Sequence, residues 1–146
     1  MDERLKGYLE QAIAIIAAMG MTIEGLERGA VTVRLPKAKN VNHIGTVYAG
    51  SLFSLADFTG GVLFYSAFDP GRFFPILREA TIRFLRPATT DMFCSAAVTP
   101  EEAAALAEKA AAEGKADWDL ELELKDEAGN VCCTVTGRFQ IRRSKL

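Results

Sequence analysis

Apolar and charged residues alternate strictly near the C-terminus of the chain. Between Asp117 and Lys125 every second residue is apolar and all the others are charged. A period of two places successive side chains on opposite faces of a strand, so the segment predicts a half-buried β-strand. The polar run 126–130 predicts a turn, and alternation resumes from Val131 to Arg142, which predicts a second strand that runs back along the first.

A period of three to four residues marks the N-terminal segment instead. Apolar residues recur at this spacing between Glu3 and Met19, and Gly20 follows as a natural stop. This pattern predicts one amphipathic helix. From Ala30 to Leu35 the residues alternate again and end at Pro36, which predicts a strand.

The middle of the chain carries almost no charge. Asp57 is the single charged residue between Ile44 and Phe68, a run long enough to raise the question of a membrane span. A carboxylate at the centre of a span costs about 2.5–3.5 kcal/mol, and glycine, serine and threonine dilute the apolar character further. We therefore predict a long helix over 46–68 that is covered by protein and does not span a membrane.

Two more strands and a helix are predicted after the break at 69–71. Residues 76–86 and 92–98 favour strands, and the run 99–102 has the form of a capping box that opens a helix ending at Gly114. The strands cluster after the long helix instead of alternating with helices. This order favours an α+β fold, in which an antiparallel sheet wraps one long central helix. The length of 146 residues predicts a single domain, 1–146.

Composition and charge remove several classes of function. The 17 Lys and Arg against 19 Asp and Glu give a net charge of −2 and a pI near 5.5. No basic footprint for nucleic acid is expected from this balance. The three cysteines, two of them adjacent, form neither a disulfide framework nor a C-x-x-C pair. The N-terminus does not have the form of a secretory signal, and the expected compartment is the cytoplasm.

The motifs of several enzyme classes are missing from the sequence. Ser51 does not stand in the G-x-S-x-G motif of α/β-hydrolases, and a single histidine, His43, excludes multi-histidine zinc sites within one chain. Neither G-x-x-x-x-G-K-[ST] nor G-x-G-x-x-G occurs. The remaining expectation is chemistry without a metal and without a nucleotide cofactor.

Residues 42–57, where the long helix is predicted to begin, carry the most informative pattern. Gly45, Ala49 and Gly50 are small enough for another group to approach the backbone. The first N–H groups of a helix lack acceptors and carry a partial positive charge, so they can hold a carbonyl oxygen that gains negative charge. Asp57 lies deeper in the helix, and a lone carboxylate in uncharged surroundings must be paired, neutral or functional.

The segment from Asn42 to Asp57 resembles the N-x-x-G-x-x-H-G-G-x-x-x-x-x-x-D signature of hotdog-fold acyl-CoA thioesterases. These include the phenylacetate-pathway type and related uncharacterised hotdog proteins. The predicted order of elements is similar from about Ala30 to Arg142, and the N-terminal helix is an addition. The resemblance implies a hotdog fold and hydrolysis of an acyl thioester, with no cofactor and with coenzyme A as part of the substrate.

The resemblance also implies roles for individual residues. Asn42 matches the asparagine that orients the thioester or the attacking water, Ala49 the glycine whose N–H polarises the carbonyl, and Gly50 the second glycine. Asp57 matches the general base or nucleophile, which in this family usually reaches the carbonyl held by the partner subunit. A homodimer or a dimer of dimers is therefore implied.

Two positions depart from the family pattern. Tyr48 replaces the usual histidine, and a phenol donates a hydrogen bond but is a poor base at neutral pH. Leu77 stands where some members carry a hydroxyl residue. His43 lies close to the signature, and either a catalytic or an incidental role is open for it.

Further residues and functions have more than one interpretation. Arg83 and Arg86 could bind the phosphates of coenzyme A or lie at a solvated strand edge, and Tyr48 could contact substrate or pack in the core. Several phenylalanines could line an apolar pocket or belong to the core: Phe53, Phe58, Phe64, Phe73 and Phe74. Two other functions are open, namely a non-catalytic module that binds an acyl ligand and an enoyl hydratase or dehydratase. The D-x-N-x-x-H-type arrangement of the latter enzymes is missing.

Overall fold

A computed structural model describes residues 1–145, and in this part of the chain one antiparallel sheet of six strands curves around a central helix. The strands lie in the order β1-β2-β4-β5-β6-β3, so β1 and β3 form the two edges. The elements are α1 (Glu3–Ala12), α2 (Ala14–Met19), β1 (Thr22–Glu27), β2 (Ala30–Leu35), α3 (Ala49–Ala67), β3 (Phe73–Phe84), β4 (Met92–Ala97), α4 (Pro100–Glu113), β5 (Lys115–Lys125) and β6 (Val131–Arg143). The α+β class and the wrapped central helix are confirmed.

The core lies between α3 and the concave face of the sheet. Leu55, Val62, Leu63 and Phe64 of α3 are completely buried, and the helix packs mainly against β2 and β4. Burial of this side accounts for the absence of charge that the sequence shows. The opposite, convex face of the sheet is called the outer face below.

The predicted alternation is confirmed residue by residue in β5, whereas in β6 it holds from Cys133 to Phe139 and is broken by the buried Cys132 and Gln140. Trp118, Leu120, Leu122 and Leu124 are all buried, while the charged residues between them lie on the outer face. The turn between these strands is closed by Asp126, which accepts hydrogen bonds from the N–H groups of Ala128 and Asn130.

The predicted limits of α4 are confirmed as well. The Thr99 hydroxyl accepts a hydrogen bond from the N–H of Glu102 at 3.1 Å, and Pro100 occupies the first turn. Gly114 ends the helix with a positive φ of 87°, a conformation that glycine adopts without steric cost.

Two expectations about the N-terminal region were wrong. The segment 3–19 forms two helices, because Ile13 takes an extended conformation (φ −113°, ψ 114°) between them. A strand, β1, precedes the predicted one and pairs with it. Its alternation is interrupted where the register shifts between Ile23 and Gly25, so the pattern of period two is lost in the sequence.

Candidate active site

The start of α3 is tied to its surroundings by two backbone hydrogen bonds. The N–H of Val47 donates to the carbonyl of Ala88 at 2.9 Å, and the N–H of Tyr48 donates to the carbonyl of Asn40 at 2.8 Å. Ala88 lies in the connection after β3, so the first bond fixes the helix start against that end of the sheet. Tyr48 is the N-cap residue, with φ −62° and ψ 136°, and its side chain makes no capping bond. The side-chain acceptor that commonly satisfies a first-turn N–H is therefore missing.

Two N–H groups at the start of α3 have no acceptor. Ser51 and Leu52 both donate to the carbonyl of Tyr48, at 3.0 and 3.1 Å, whereas no atom of residues 1–145 accepts from the N–H of Ala49 or of Gly50. Ala49 is exposed and Gly50 is half-buried. A ligand oxygen can therefore approach both groups, and the helix terminus favours a partial negative charge there.

The ring of Tyr48 folds over Gly50. A Cβ atom built on Gly50 would lie only 2.5 Å from Cε2 of this ring, so the close approach requires glycine. The tyrosine is 57% exposed, which excludes the core role considered for it. Its ring instead lies beside Gly50, next to the free N–H groups.

Asn42 organises the loop before α3 with its own side chain. Its Oδ1 accepts hydrogen bonds from the N–H groups of Ile44 and Thr46, both at 3.0 Å. Its Nδ2 donates to the hydroxyl of Thr46 at 2.9 Å. All these partners belong to the same short loop, so the asparagine shapes the entry to the helix through its side-chain hydrogen bonds.

A second asparagine in this region was missed in the sequence. Asn40 is 4% exposed, and its Nδ2 donates to the carbonyls of Met19 and Pro36 at 2.9 and 2.7 Å. The backbone carbonyl of Asn40 accepts a hydrogen bond from the N–H of Tyr48. Asn40 therefore anchors the start of α3 to the end of α2. Burial of a residue in a loop leaves no periodic pattern in the sequence. The one available signal for Asn40 was its position in a loop that contains two asparagines.

Asp57 lies on the exposed side of α3, further along the helix. Neighbours one turn away on this side are Phe53, which is half-buried, and Gly61, where a Cβ atom would meet open space. The carboxylate is accessible at the surface of the chain, and it forms no ion pair with residues 1–145. Removal of water by the surrounding groups nevertheless raises the pKa of Asp57 above its ordinary value.

Asp57 and the free N–H groups are separated along one helix. Asp57 is the eighth residue after Ala49, which places it about 12 Å further along the axis at about 1.5 Å per residue. A carbonyl oxygen bound at the N–H of Ala49 would lie about 3 Å from it, beyond the helix start. One aspartate side chain does not span that distance, so the two features of one chain cannot act on the same carbonyl group.

The other predicted site residues lie in different parts of the chain. Arg86 lies at the same end as the start of α3, two residues before Ala88. Arg83 is opposite Thr134 and therefore points to the outer face, away from α3. Leu77 is half-buried on β3 opposite Phe139, and His43 is exposed in the loop before α3.

The phenylalanines considered for a pocket wall divide between core and surface. Phe58, Phe64 and Phe73 are buried core residues, Phe53 is half-buried beside Asp57, and Phe74 is 42% exposed.

The cysteines are poor candidates for a nucleophile. Cys94, Cys132 and Cys133 are free and buried. Burial raises the pKa of both Cys94 and Cys133 to about 11, which leaves little thiolate at neutral pH. In residues 1–145 no group of three or more His, Cys, Asp or Glu side chains is placed to hold a metal ion.

Comparison with known protein families gives one match. A family model described as a domain of unknown function, DUF4442, matches residues 3–141. The chain belongs to the DUF4442 family. None of the curated proteins compared with the chain matches it.

Several solved structures are similar to this DUF4442 chain. PA5026 of Pseudomonas aeruginosa, described as a protein of unknown function and probable thioesterase, is 42% identical with a TM-score of 0.93, over 99% of this chain and 97% of its own. The thioesterase HI1161 of Haemophilus influenzae is 12% identical with a TM-score of 0.72, over 98% and 91% of the two chains. A variant of the thioesterase SAV0944 of Staphylococcus aureus is 16% identical with a TM-score of 0.70, over 89% and 99%. The two more distant similarities show the fold alone, and the fold is the expected hotdog fold.

Two further features of the DUF4442 chain concern its helices and the edge of its sheet. No helix within the described residues combines the length and the apolar character that crossing a membrane requires. Strand β3, twelve residues long, pairs only with β6 in the described part of the chain, so its other edge offers a row of backbone groups to a further strand.

Proposed function

We propose that the protein hydrolyses the thioester of an acyl-CoA, or of a related acyl carrier, to the free acid and the thiol. The observation that carries the proposal is the pair of accessible N–H groups at Ala49 and Gly50, on a helix whose only charged residue is Asp57. The first feature polarises a carbonyl, and the second supplies a base or a nucleophile. The description of PA5026 as a probable thioesterase supports the same chemistry.

The proposed active unit is a homodimer or a dimer of dimers. The separation of about 12 Å along α3 between Ala49 and Asp57 requires that the two features acting on one substrate come from different chains. A two-fold axis then generates two equivalent sites. The open edge of β3 supports such an assembly, because two copies of an edge strand can pair with each other.

The proposed reaction begins with the thioester carbonyl oxygen at the N–H groups of Ala49 and Gly50. The ionised Asp57 of the other subunit either takes a proton from a water molecule that attacks the carbonyl carbon, or attacks this carbon itself. The carbon–sulfur bond then breaks, and the thiolate leaves and takes up a proton. If Asp57 attacks, water hydrolyses the resulting anhydride in a second step. A thiolate is a better leaving group than an amide nitrogen, so the site requires no strong general acid.

The residues around the helix start have supporting roles in this proposal. Asn42 and Asn40 hold the loop and the helix terminus in place, and Tyr48 borders the carbonyl site. Arg86, at the same end, is the better of the two arginine candidates for the phosphates of coenzyme A. No metal or separate cofactor takes part, and the free cysteines favour a reducing compartment such as the cytoplasm.

A module that binds an acyl ligand without turnover is the second candidate. It is favoured by the side chain of Asn42, whose three hydrogen bonds all lie within its own loop, and by Tyr48 in place of the histidine. In that case the N–H groups hold a carbonyl, and Asp57 does not activate water.

The deciding experiment compares the parent protein with Asp57→Asn on short, long and aromatic acyl-CoA esters. Coenzyme A release is followed by chromatography, because thiol dyes also react with protein cysteines. Glu121→Gln serves as a matched control, since it removes an exposed carboxylate from the outer face. Hydrolysis that Asp57→Asn abolishes, with Glu121→Gln fully active and the oligomer unchanged, supports the proposal. Binding of the esters without turnover in the parent protein favours the binding module.

A further inference from the structure

Neighbouring cross-strand pairs on the outer face of β5 and β6 are chemically complementary. Asp119 and Arg138 lie opposite each other and form a bidentate salt bridge at 2.9 and 3.1 Å. The next pair, Asp117 and Gln140, is joined by a hydrogen bond of 2.9 Å. Opposite charges or matched donors and acceptors in directly facing positions stabilise a sheet.

The third pair in this series breaks the rule. Lys115 lies opposite Arg142, and like charges in facing positions destabilise a sheet. No carboxylate of residues 1–145 lies within ion-pair distance of either side chain. On the next strand Phe74 lies opposite Arg142, so an exposed aromatic ring completes a row with the two cations.

This row lines a recess on the surface of the chain. The recess has a volume of about 1060 Å³, and two further cations, Arg143 and Lys145, line it. Glu113 is the one carboxylate among the lining residues, and it forms no ion pair in the described part of the chain. Four cations thus gather in one recess of a protein whose net charge is −2.

We propose that this recess binds a phosphate-bearing ligand of the nucleoside diphosphate class. Adjacent phosphates would neutralise the facing Lys115 and Arg142, which is the charge that the sheet itself does not supply. The ring of Phe74, 42% exposed at the end of the row, offers a flat apolar surface to a base. The volume is of the size that small-molecule sites have.

The recess is separate from the site proposed for hydrolysis. Its row of side chains points to the outer face of the sheet, whereas α3 with Asp57 packs on the concave face. Binding here therefore does not depend on whether the protein hydrolyses thioesters. The ligand is either a free nucleotide or the nucleotide end of a coenzyme A ester bound apart from the ester that is hydrolysed, and both carry the diphosphate and the base.

Calorimetric titration of the full protein with ADP, pyrophosphate and coenzyme A tests the site. The variant Lys115→Gln/Arg142→Gln removes the facing cations, and Arg4→Gln/Lys125→Gln removes two exposed cations elsewhere as a matched control. We expect ADP and pyrophosphate to bind the parent at about 150 mM salt, where exposed charges are largely screened. The first variant should weaken binding by about 100-fold or more, since it removes two charge-assisted contacts and each is worth about 10-fold. The control should bind like the parent.

A third variant and a competition separate the parts of the proposal. Phe74→Ala should reduce ADP binding to the level of pyrophosphate without affecting pyrophosphate itself. If coenzyme A displaces ADP, the nucleotide end of an ester fits the recess, and if it does not, the ligand is a free nucleotide. Absence of ADP and pyrophosphate binding in the folded parent overturns the proposal, and so does equal weakening in the control variant.

Discussion

Gly60 of α3 lies directly against the ring of Phe139 on β6. A Cβ atom on Gly60 would lie 2.4 Å from Cζ and 2.6 Å from Cε1 of this ring, closer than any packed contact allows. The absence of a side chain lets the central helix approach the sheet at this point. The position of Asp57, one turn earlier on the same helix, depends on that approach.

Gly60→Ala should therefore destabilise the protein although alanine is the better helix former. Overpacking a core costs about 1–3 kcal/mol, more than the roughly 1 kcal/mol that alanine gains over glycine in a helix. The free energy of unfolding from denaturant titration checks this. Gly7→Ala is the matched control, because a Cβ there meets nothing within 4 Å, and it should stabilise by about 0.5–1 kcal/mol.

Substitution of the ring should relieve the clash. Phe139→Leu alone should destabilise the protein. In the Gly60→Ala background the smaller side chain also removes the clash, so the double variant should be more stable than the sum of the two single effects predicts. The coupling free energy of the double-mutant cycle should therefore be favourable. Additive effects of the two substitutions would show that the helix does not rest on this ring.

The strong periodicities in the sequence predicted most of the fold. Trp118 and the leucines after it specify β5, and Thr99 with Gly114 marks the limits of α4, because each signal arises within a few consecutive residues. The strand β1 escaped prediction, since the register shift after Ile23 places its apolar residues out of step. The extended conformation at Ile13 gave no signal either, because it interrupts an apolar stripe without glycine or proline.

The sequence pointed to candidate residues for the site but not to their geometry. The spacing within the signature singles out Ala49, Gly50 and Asp57 as candidates, and their roles stay predictions. The closure of Asn42 onto its own loop and the burial of Asn40 depend on the path of the loop, which no periodic pattern encodes. The recess at Lys115 depends on strand register, which places residues distant in the sequence side by side.

Asn42 should act on activity through the shape of its loop. Asn42→Ala removes three hydrogen bonds and should lower both the melting temperature and kcat/KM, since a net hydrogen bond contributes about 1 kcal/mol. Asn42→Asp keeps the oxygen that accepts from Ile44 and Thr46, and it should retain most of both properties. Equal loss of activity in the two variants, with the melting temperature of Asn42→Asp unchanged, would instead assign the amide a direct role at the substrate.

Ala49→Pro should remove a carbonyl-binding N–H group without disturbing the helix. Proline is favoured at the first position of a helix, and Tyr48 before it already has the extended conformation that a following proline requires. We expect kcat to fall by about 10²–10³-fold, the effect of losing one oxyanion donor, with an unchanged melting temperature. Ala49→Ser keeps the N–H and should stay active. An active Ala49→Pro variant would remove this N–H from the proposed mechanism.

The raised pKa of Asp57 predicts a pH dependence of stability with a definite sign. The folded state holds the proton more tightly than the unfolded state, so this group's contribution to stability falls as the pH rises from its ordinary value of 3.8 through the raised pKa. Asp57→Asn removes this titrating group. The melting temperature of the variant should therefore exceed that of the parent at a pH above the raised pKa, and it should not exceed it at a pH below 3.8.

Asp119 provides the control of opposite sign for this measurement. Its hydrogen bonds from Arg138 lower the pKa of Asp119, so its stabilisation is present above pH 3.8 and is lost as the pH falls through the lowered value. Asp119→Asn should therefore lower the melting temperature slightly at neutral pH and not at strongly acidic pH. The same direction of change in both variants would contradict the assignment for Asp57.

Two inactive variants should restore activity when they share a dimer. In the proposed site the carbonyl is held by Ala49 of one chain and is attacked with the help of Asp57 from the other. A dimer of one Ala49→Pro chain and one Asp57→Asn chain therefore contains one site with both groups intact and one site with neither. Random association in a two-fold dimer makes about half of the dimers mixed, so activity should reach about a quarter of the parent value. Co-expression with two affinity tags isolates the mixed dimers, which should show about half. If these purified mixed dimers are inactive while the parent is active, the shared site is wrong, because a dimer with one intact pair of Ala49 and Asp57 should hydrolyse the ester.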